Sequence, residues 1–220
     1  MSTTIDVYPA IGLMPLVEQT RARTQELFQQ LLDRFGVEST IEVSAFHPSA
    51  SGPIKYVASD LRWRKDLHLG FGYVINGEWD SSSWPSCYGF DPDDQIGEDD
   101  LRSSENPDGP PREFLGEWWI AAELTGVVSP DRLARILRSD HYWGEYRNLG
   151  GPAVASTGYG LVAAALAEAT EGIVASFDCA FDDDHNGETA EQFLSWWGGR
   201  QIDFYGPARF CAARPPRPRS

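Results

Sequence analysis

Asp182-Asp183-Asp184-His185-Asn186-Gly187 is the stretch whose residue types and spacing come nearest to a metal site. Asp182, Asp184, Asn186 and Gly187 occupy positions 1, 3, 5 and 6 of a calcium loop, where alternating oxygens converge and glycine permits the sharp turn. The match ends at position 12, where a bidentate glutamate belongs and Phe193 stands. Weak binding of Ca²⁺ by Asp182, Asp184 and Asn186 is therefore the only cofactor chemistry expected. The plainer reading is a solvated turn that places negative charge near a helix N-terminus. A metal-dependent hydrolase built on Asp182, Asp184 and His185 is the enzymatic alternative.

A second concentration of chemistry lies between Gly77 and Asp108. Ten acidic side chains and a single base, Arg102, fall in these 32 residues, interleaved with Trp79, Trp84, Tyr88 and Phe90. So many like charges repel one another, which predicts a solvated loop or a surface awaiting a cation. Asp91, Asp93, Asp94, Glu98, Asp99 and Asp100 are dense enough for a divalent ion, but Gly97 comes one place late for a calcium loop and Pro92 interrupts its start. A protein-facing surface fits better. Carboxylates would steer a basic partner, and Trp79, Trp84 and Tyr88 would supply the buried anchors.

Other catalytic patterns are missing. His47, His68, His141 and His185 show no metal-ligand spacing, and no G-x-S-x-G, P-loop or H-E-x-x-H occurs. His68 is expected on a solvent-facing sheet surface near Arg62, Arg64 and Lys65. Cys87, in Trp84-Pro-Ser-Cys-Tyr, reads as a loop cysteine open to reaction, without a partner that can be named. Cys179, alternating with Phe177 and Phe181, reads as core. Three scattered cysteines without a C-x-x-C pair indicate reduced thiols and a cytoplasmic protein. Neither a signal peptide nor an apolar run long enough for a membrane span is seen. The formal charge of −15 and a pI of about 4.5 argue against direct binding to nucleic acid. Only Lys55 and Lys65 among 18 basic residues are lysine, a coding bias of GC-rich bacterial genomes.

The elements that must position these residues follow from periodicity. Leu27, Phe28, Leu31, Leu32 and Phe35 form one stripe of a helix over 16–35, with Gly36 as its stop. Ile41, Val43 and Ala45 alternate as a strand, and an extended run is expected around 54–63. Leu67, Leu69, Phe71, Tyr73 and Ile75 predict one continuous strand, which Asn76-Gly77 would return through a type I′ turn into a strand carrying Trp79. Helices are expected over 114–124, from the Ser129 cap onward, over 154–170 and from the Thr189–Gln192 capping box onward. A strand is expected over 173–181. Each tandem pair, Trp118-Trp119 and Trp196-Trp197, should leave one ring exposed, since neighbours on a helix diverge by about 100°. The sum is a single α+β domain over 1–213, with an antiparallel sheet packed by several helices. A basic tail over 214–220, rich in proline and arginine, follows and is expected to be disordered.

Residues 163–178, Ala-Ala-Ala-Leu-Ala-Glu-Ala-Thr-Glu-Gly-Ile-Val-Ala-Ser-Phe-Asp, and Thr189-Ala-Glu-Gln-Phe-Leu194 carry a resemblance. They resemble the helix-glycine-strand-turn-helix endings of small bacterial proteins, including immunity proteins of polymorphic toxin systems. The likeness covers about a quarter of the chain and transfers no functional residue. It implies a non-enzymatic antitoxin-like protein that binds and neutralises a basic partner, such as a nuclease-type toxin. A purely structural subunit, with Trp118 and Trp196 buried in a homo-oligomer, is the third possibility.

Overall fold

Alternation sets the first element. Thr3, Ile5 and Val7 turn inward while Thr4, Asp6 and Tyr8 take the other face, forming strand β1 (Ser2–Tyr8). The structure, a computed structural model, describes residues 2–48, 54–89, 119–148 and 150–211. Helix α1 (Val17–Arg34) buries Leu27, Phe28 and Leu32, and the chain leaves it through Gly36 at φ +65°. Strands β2 (Ile41–His47) and β3 (Lys55–Tyr56) follow. The extended run expected around 54–63 is thus a strand only at Lys55–Tyr56. Its far end is fixed instead by Trp63, whose buried Nε1 donates to Thr20 Oγ1 at 3.0 Å.

The strand expected over 67–75 is divided. β4 (Leu67–His68) pairs with β7 (Ser86–Gly89), whereas β5 (Gly70–Ile75) pairs with β2 and β6 (Glu78–Ser83). The inward alternation is unbroken across the division, because Leu67, Leu69, Phe71, Tyr73 and Ile75 are all buried. One long hairpin therefore crosses two sheets. Its turn is the expected one, with Asn76 at φ +50° and Gly77 at φ +81° between the paired Ile75 and Glu78.

The second half supplies α2 (Trp119–Leu124), α3 (Pro130–Ile136), β8 (His141–Asn148), α4 (Ala153–Ala169), β9 (Ile173–Ala175) and α5 (Ala190–Tyr205). Ser129 caps α3 and Thr189 with Gln192 boxes the start of α5, as their residue types foretold. One sheet runs β4-β7-β8-β1-β9 and the other β3-β2-β5-β6, with every strand pairing antiparallel. The fold is α+β, as expected, although β1 and β8 were not anticipated. The strand expected over 173–181 stops at Ala175. Asn186 Oδ1 takes the Ser176 N–H at 2.7 Å, and Cys179 turns back at φ +67°.

Helix α4 is the centre of the fold. It packs against α1, α5 and strands of both sheets. Two glycines let its neighbours approach: the Tyr73 ring lies against Gly158 and the Trp197 indole against Gly160, where a Cβ would collide with either. Tyr73 cannot easily move, since its hydroxyl is bonded to Ser83 Oγ at 2.7 Å. On the opposite face of β1 and β9, α2 and α3 build a smaller core from Ile120, Leu124, Leu133 and Ile136 over Tyr8, Ile173 and Ala175. Replacing Gly158 with valine is expected to cost about 1–3 kcal/mol by overpacking against Tyr73. Gly12→Ala, with nothing within 4 Å of the new Cβ, should stay within about 0.5 kcal/mol of the parent. Urea denaturation of the two variants measures both.

Candidate functional site

Inner positions of the long hairpin face the helices, so its outer positions form a surface. An extra residue at Asp80 shifts the register between Tyr73 and Val74, after which Ser82, Trp84, Ser86 and Tyr88 alternate outward with Trp79 beyond the bulge. Gly70 and Gly72 leave this face bare. Phe46 lies on the first and Trp79 on the second, at positions a Cβ would occupy. Phe46 then joins Trp79 and Trp84, with centroids 5.9 and 5.4 Å away. Both tryptophans remain open, 42% and 45% exposed. Two of the expected partner-binding residues thus share one platform, and Tyr88 stands farther along the same face. Asp91, Asp93, Asp94, Glu98, Asp99 and Asp100 lie outside the described residues.

Beyond Tyr88 the outer face becomes a row of rings. Tyr88 stacks on Tyr142 at 5.3 Å, Tyr142 on Tyr8 at 5.6 Å, and Tyr8 meets Phe177 at 6.1 Å. His68, outward as expected, closes the other end against Tyr88 and bonds Ser86 Oγ through Nδ1 at 2.6 Å. Of the bases expected beside it, Arg62 donates to Met14 O and Lys65 pairs with Asp140. Alongside the rings runs a groove of about 350 Å³, lined by Thr4, Asp6, Tyr88, Tyr142, Phe177 and Asp178. Gly144 is part of its wall, and Asp6 Oδ1 sits 2.7 Å from where a Cβ at that position would stand.

Two carboxylates give the groove its charge. Where β9 ends, Asp178 takes over the exposed edge of β1, accepting the Thr4 N–H at 2.7 Å and Thr4 Oγ1 at 3.0 Å. Ser176 Oγ donates at 3.1 Å to the same oxygen, Oδ1, that takes the Thr4 N–H. Asp6 is only 8% exposed. Burial, and secondly the charge of Asp178, push its carboxyl up to about 7, against the opposing hydrogen bond from the Tyr8 hydroxyl. The arrangement holds negative charge beside flat aromatic faces, the complement of a cation.

On the inner face Glu145 is an isolated acid. It is buried, receives the Trp84 N–H through Oε1, and leaves Oε2 without a hydrogen-bond partner among the described residues. Desolvation raises its carboxyl to about 8 despite lowering contributions from the Trp84 amide and Ser83. It therefore stays protonated at neutral pH.

The remaining candidates are separated from this face. Asp182 pairs with Arg200 at 2.9 Å, Asn186 is held by Ser176, and His185 is bonded to Glu188 at 2.7 Å and stacked on Trp196 at 4.0 Å. Among the described residues no group of three or more His, Cys, Asp or Glu is placed to hold a metal ion. Trp197 is buried while Trp196 is half-buried, its Nε1 donating to Glu188. The side chains of Trp118 and Trp119 and the 214–220 tail lie outside the described residues. Two cysteine expectations are reversed. Cys87 lies buried in β7, where desolvation and the charges of Asp140 and Asp66 raise its thiol to about 12 against the lowering influence of Lys65. Cys179 is exposed, because the strand that would have buried it ends first.

Asp6, Tyr142 and Gly144 were not found from the sequence, since β1 and β8 were not recognised, and Asp178 was missed because the strand expected over 173–181 runs past the true end of β9 at Ala175. The signal was there: Thr4, Asp6 and Tyr8 alternate with Ile5 and Val7, and Tyr142, Gly144 and Tyr146 alternate with Trp143 and Glu145.

Because Glu145 and Asp6 bind protons more tightly folded than unfolded, the stability they contribute is complete below the ordinary carboxylate range. It falls as pH rises through about 7 and about 8. Glu145→Gln should flatten the decline measured by urea denaturation between pH 5 and pH 9, and an unchanged slope would refute the assignment. Alkylation of the native protein should label Cys179 and Cys211 but spare Cys87 until unfolding. No protein-family model, curated protein or solved structure matches this chain, so the site stands on its own residues.

Proposed function

We propose that this chain is a non-enzymatic, cytoplasmic binding protein of the immunity or antitoxin kind, which engages a basic protein with the outer face of its sheets. The observation that carries the reading is the continuity of that face. The Phe46–Trp79–Trp84 platform leads through Tyr88 into the groove holding Asp6 and Asp178. Large aromatic anchors beside carboxylates are the composition of a hot spot with electrostatic steering. A chain charge of −15 favours a basic partner over an acidic one and disfavours nucleic acid. No helix among the described residues is long and apolar enough to cross a membrane.

The test is capture from native lysate with wild type and face variants side by side. Wild type should retain a basic protein at low salt and release it at high salt. Trp79→Ala combined with Trp84→Ala should weaken retention by about 2 kcal/mol or more, roughly thirtyfold. Ser82→Arg, which places bulk and positive charge on the same face without removing a core contact, should act in the same direction. Retention unchanged in both variants, or no basic protein retained by wild type, overturns the reading.

A further inference from the structure

The last described residue of the chain stands at the tip of the long hairpin. Phe210 is buried against Phe28, and the Cys211 carbonyl accepts the Asn76 side-chain amide at 3.1 Å. Residues 212–220, Ala-Ala-Arg-Pro-Pro-Arg-Pro-Arg-Ser, follow it and lie outside the described residues. The outer face of the four-stranded sheet begins at the same tip, with Trp79 three positions beyond Asn76 and Trp84 eight. Each of these rings is steeply inclined to Phe46, by 59° and 83°, so the platform is ridged. Tyr56, 65% exposed and paired with Phe46 across the strands, extends it on one side. Glu42, exposed on this face opposite Val74, and Asp80 at the bulge have no basic partner among the described residues.

We propose that residues 212–220 dock on the Phe46–Trp79–Trp84 platform of their own chain as an extended polyproline helix. Three residues complete a turn of that helix, so Pro215 and Pro218 share one side, while Arg214 and Arg217 share the next. Ridged aromatic surfaces receive prolines at this spacing, and a tryptophan Nε1–H donates to the carbonyls that such a helix leaves unpaired. The arginine side then faces Glu42 and Asp80, or lies over the tryptophan rings. Reach is sufficient: nine residues at about 3.1 Å each span about 28 Å, and the eight strand positions from Asn76 to Trp84 cover about 26 Å. In a chain of charge −15 this segment carries three arginines and no acid, so the face attracts it. Tethering beside the site supplies an effective concentration of about a millimolar, which makes even a weak site substantially occupied. Docking does not rest on the partner-binding reading. Combined with that reading, it means that the tail shields Trp79 and Trp84 until a basic partner displaces it.

Backbone-amide and indole chemical shifts of the full chain can be compared with those of a full-length variant carrying Arg214→Ser, Pro215→Ser, Arg217→Ser and Pro218→Ser. Differences are expected at residues 42–46 and 78–84 and in the Trp79 and Trp84 indole signals, with the buried Trp63 and Trp197 indoles unmoved. A synthetic peptide of residues 212–220, titrated into the variant, should move the same signals saturably. A peptide with its three prolines replaced by serine should bind about fivefold more weakly. Glu42→Lys, added to the variant at an exposed position, should weaken the natural peptide about threefold. Identical spectra of chain and variant overturn the proposal, as does a natural peptide that fails to saturate. Equal binding of the serine peptide, or unchanged affinity in Glu42→Lys, does so too. Shift differences that grow with protein concentration assign the tail to a second copy and overturn docking within one chain. Partner capture by the Trp79 and Trp84 variants is a separate readout, so the binding reading stands or falls independently of these results.

Discussion

The structure depends on burying helix α4 from every side. Fourteen of its seventeen residues are buried, so it has no solvent face to set its orientation and must be held by what packs around it. Small residues make this possible. Gly158 and Gly160 admit the Tyr73 and Trp197 rings, and alanines 163–165 and 167 keep the remaining neighbours close. Those rings are pinned in turn, Tyr73 by Ser83 and Trp197 by the Thr157 carbonyl. The Tyr159 hydroxyl on α4 also donates to the Glu145 carbonyl, tying the helix to β8. Every inward residue of the long hairpin is therefore committed to α4 and its companions.

This commitment decides what the outer face can be. A strand that turns Leu69, Phe71, Tyr73 and Ile75 inward must turn Gly70, Gly72 and Val74 outward, and the glycines let Phe46 and Trp79 approach the strand where a Cβ would stand. On the five-stranded sheet the same rule sends Asp6 and Thr4 outward beside Tyr88 and Tyr142. Helices α2 and α3 cover Tyr8 and Ile173 at one end of that sheet, and the aromatic and acidic groups extend beyond them. Asp178 belongs to this surface because β9 is short: its carboxylate satisfies the Thr4 N–H that another strand residue would have bonded. A backbone requirement at a sheet edge thus places the second charge of the groove.

Much of the fold was legible from local signals. The α1 stripe with Gly36, the Asn76-Gly77 turn, the Ser129 cap and the Thr189–Gln192 box each have a cause within a few residues, and each was read from them. The division of the strand at Leu69 was not legible, because the inward alternation continues through it and only the pairing partners change. Strand β8 was hidden by the mixed character of Tyr142-Trp143-Gly144-Glu145-Tyr146-Arg147, in which an acid faces the core. Trp79, Trp84 and Tyr88 were singled out for their company of acidic residues, and the structure sets them along one face of the hairpin. The two groove carboxylates, Asp6 and Asp178, are 172 positions apart in the chain, a juxtaposition that the β1–β9 pairing creates.

The most direct test of the outer-face account is amide hydrogen exchange of the chain alone and bound to its captured basic partner. Binding through this face should protect residues 78–89, 142–146 and 176–178, while the exposed surfaces of α1 and α5 around Phe35 and Phe204 exchange as before. Protection confined to α1 and α5, with β6 and β7 unchanged, would contradict it and move the interface to the helical side.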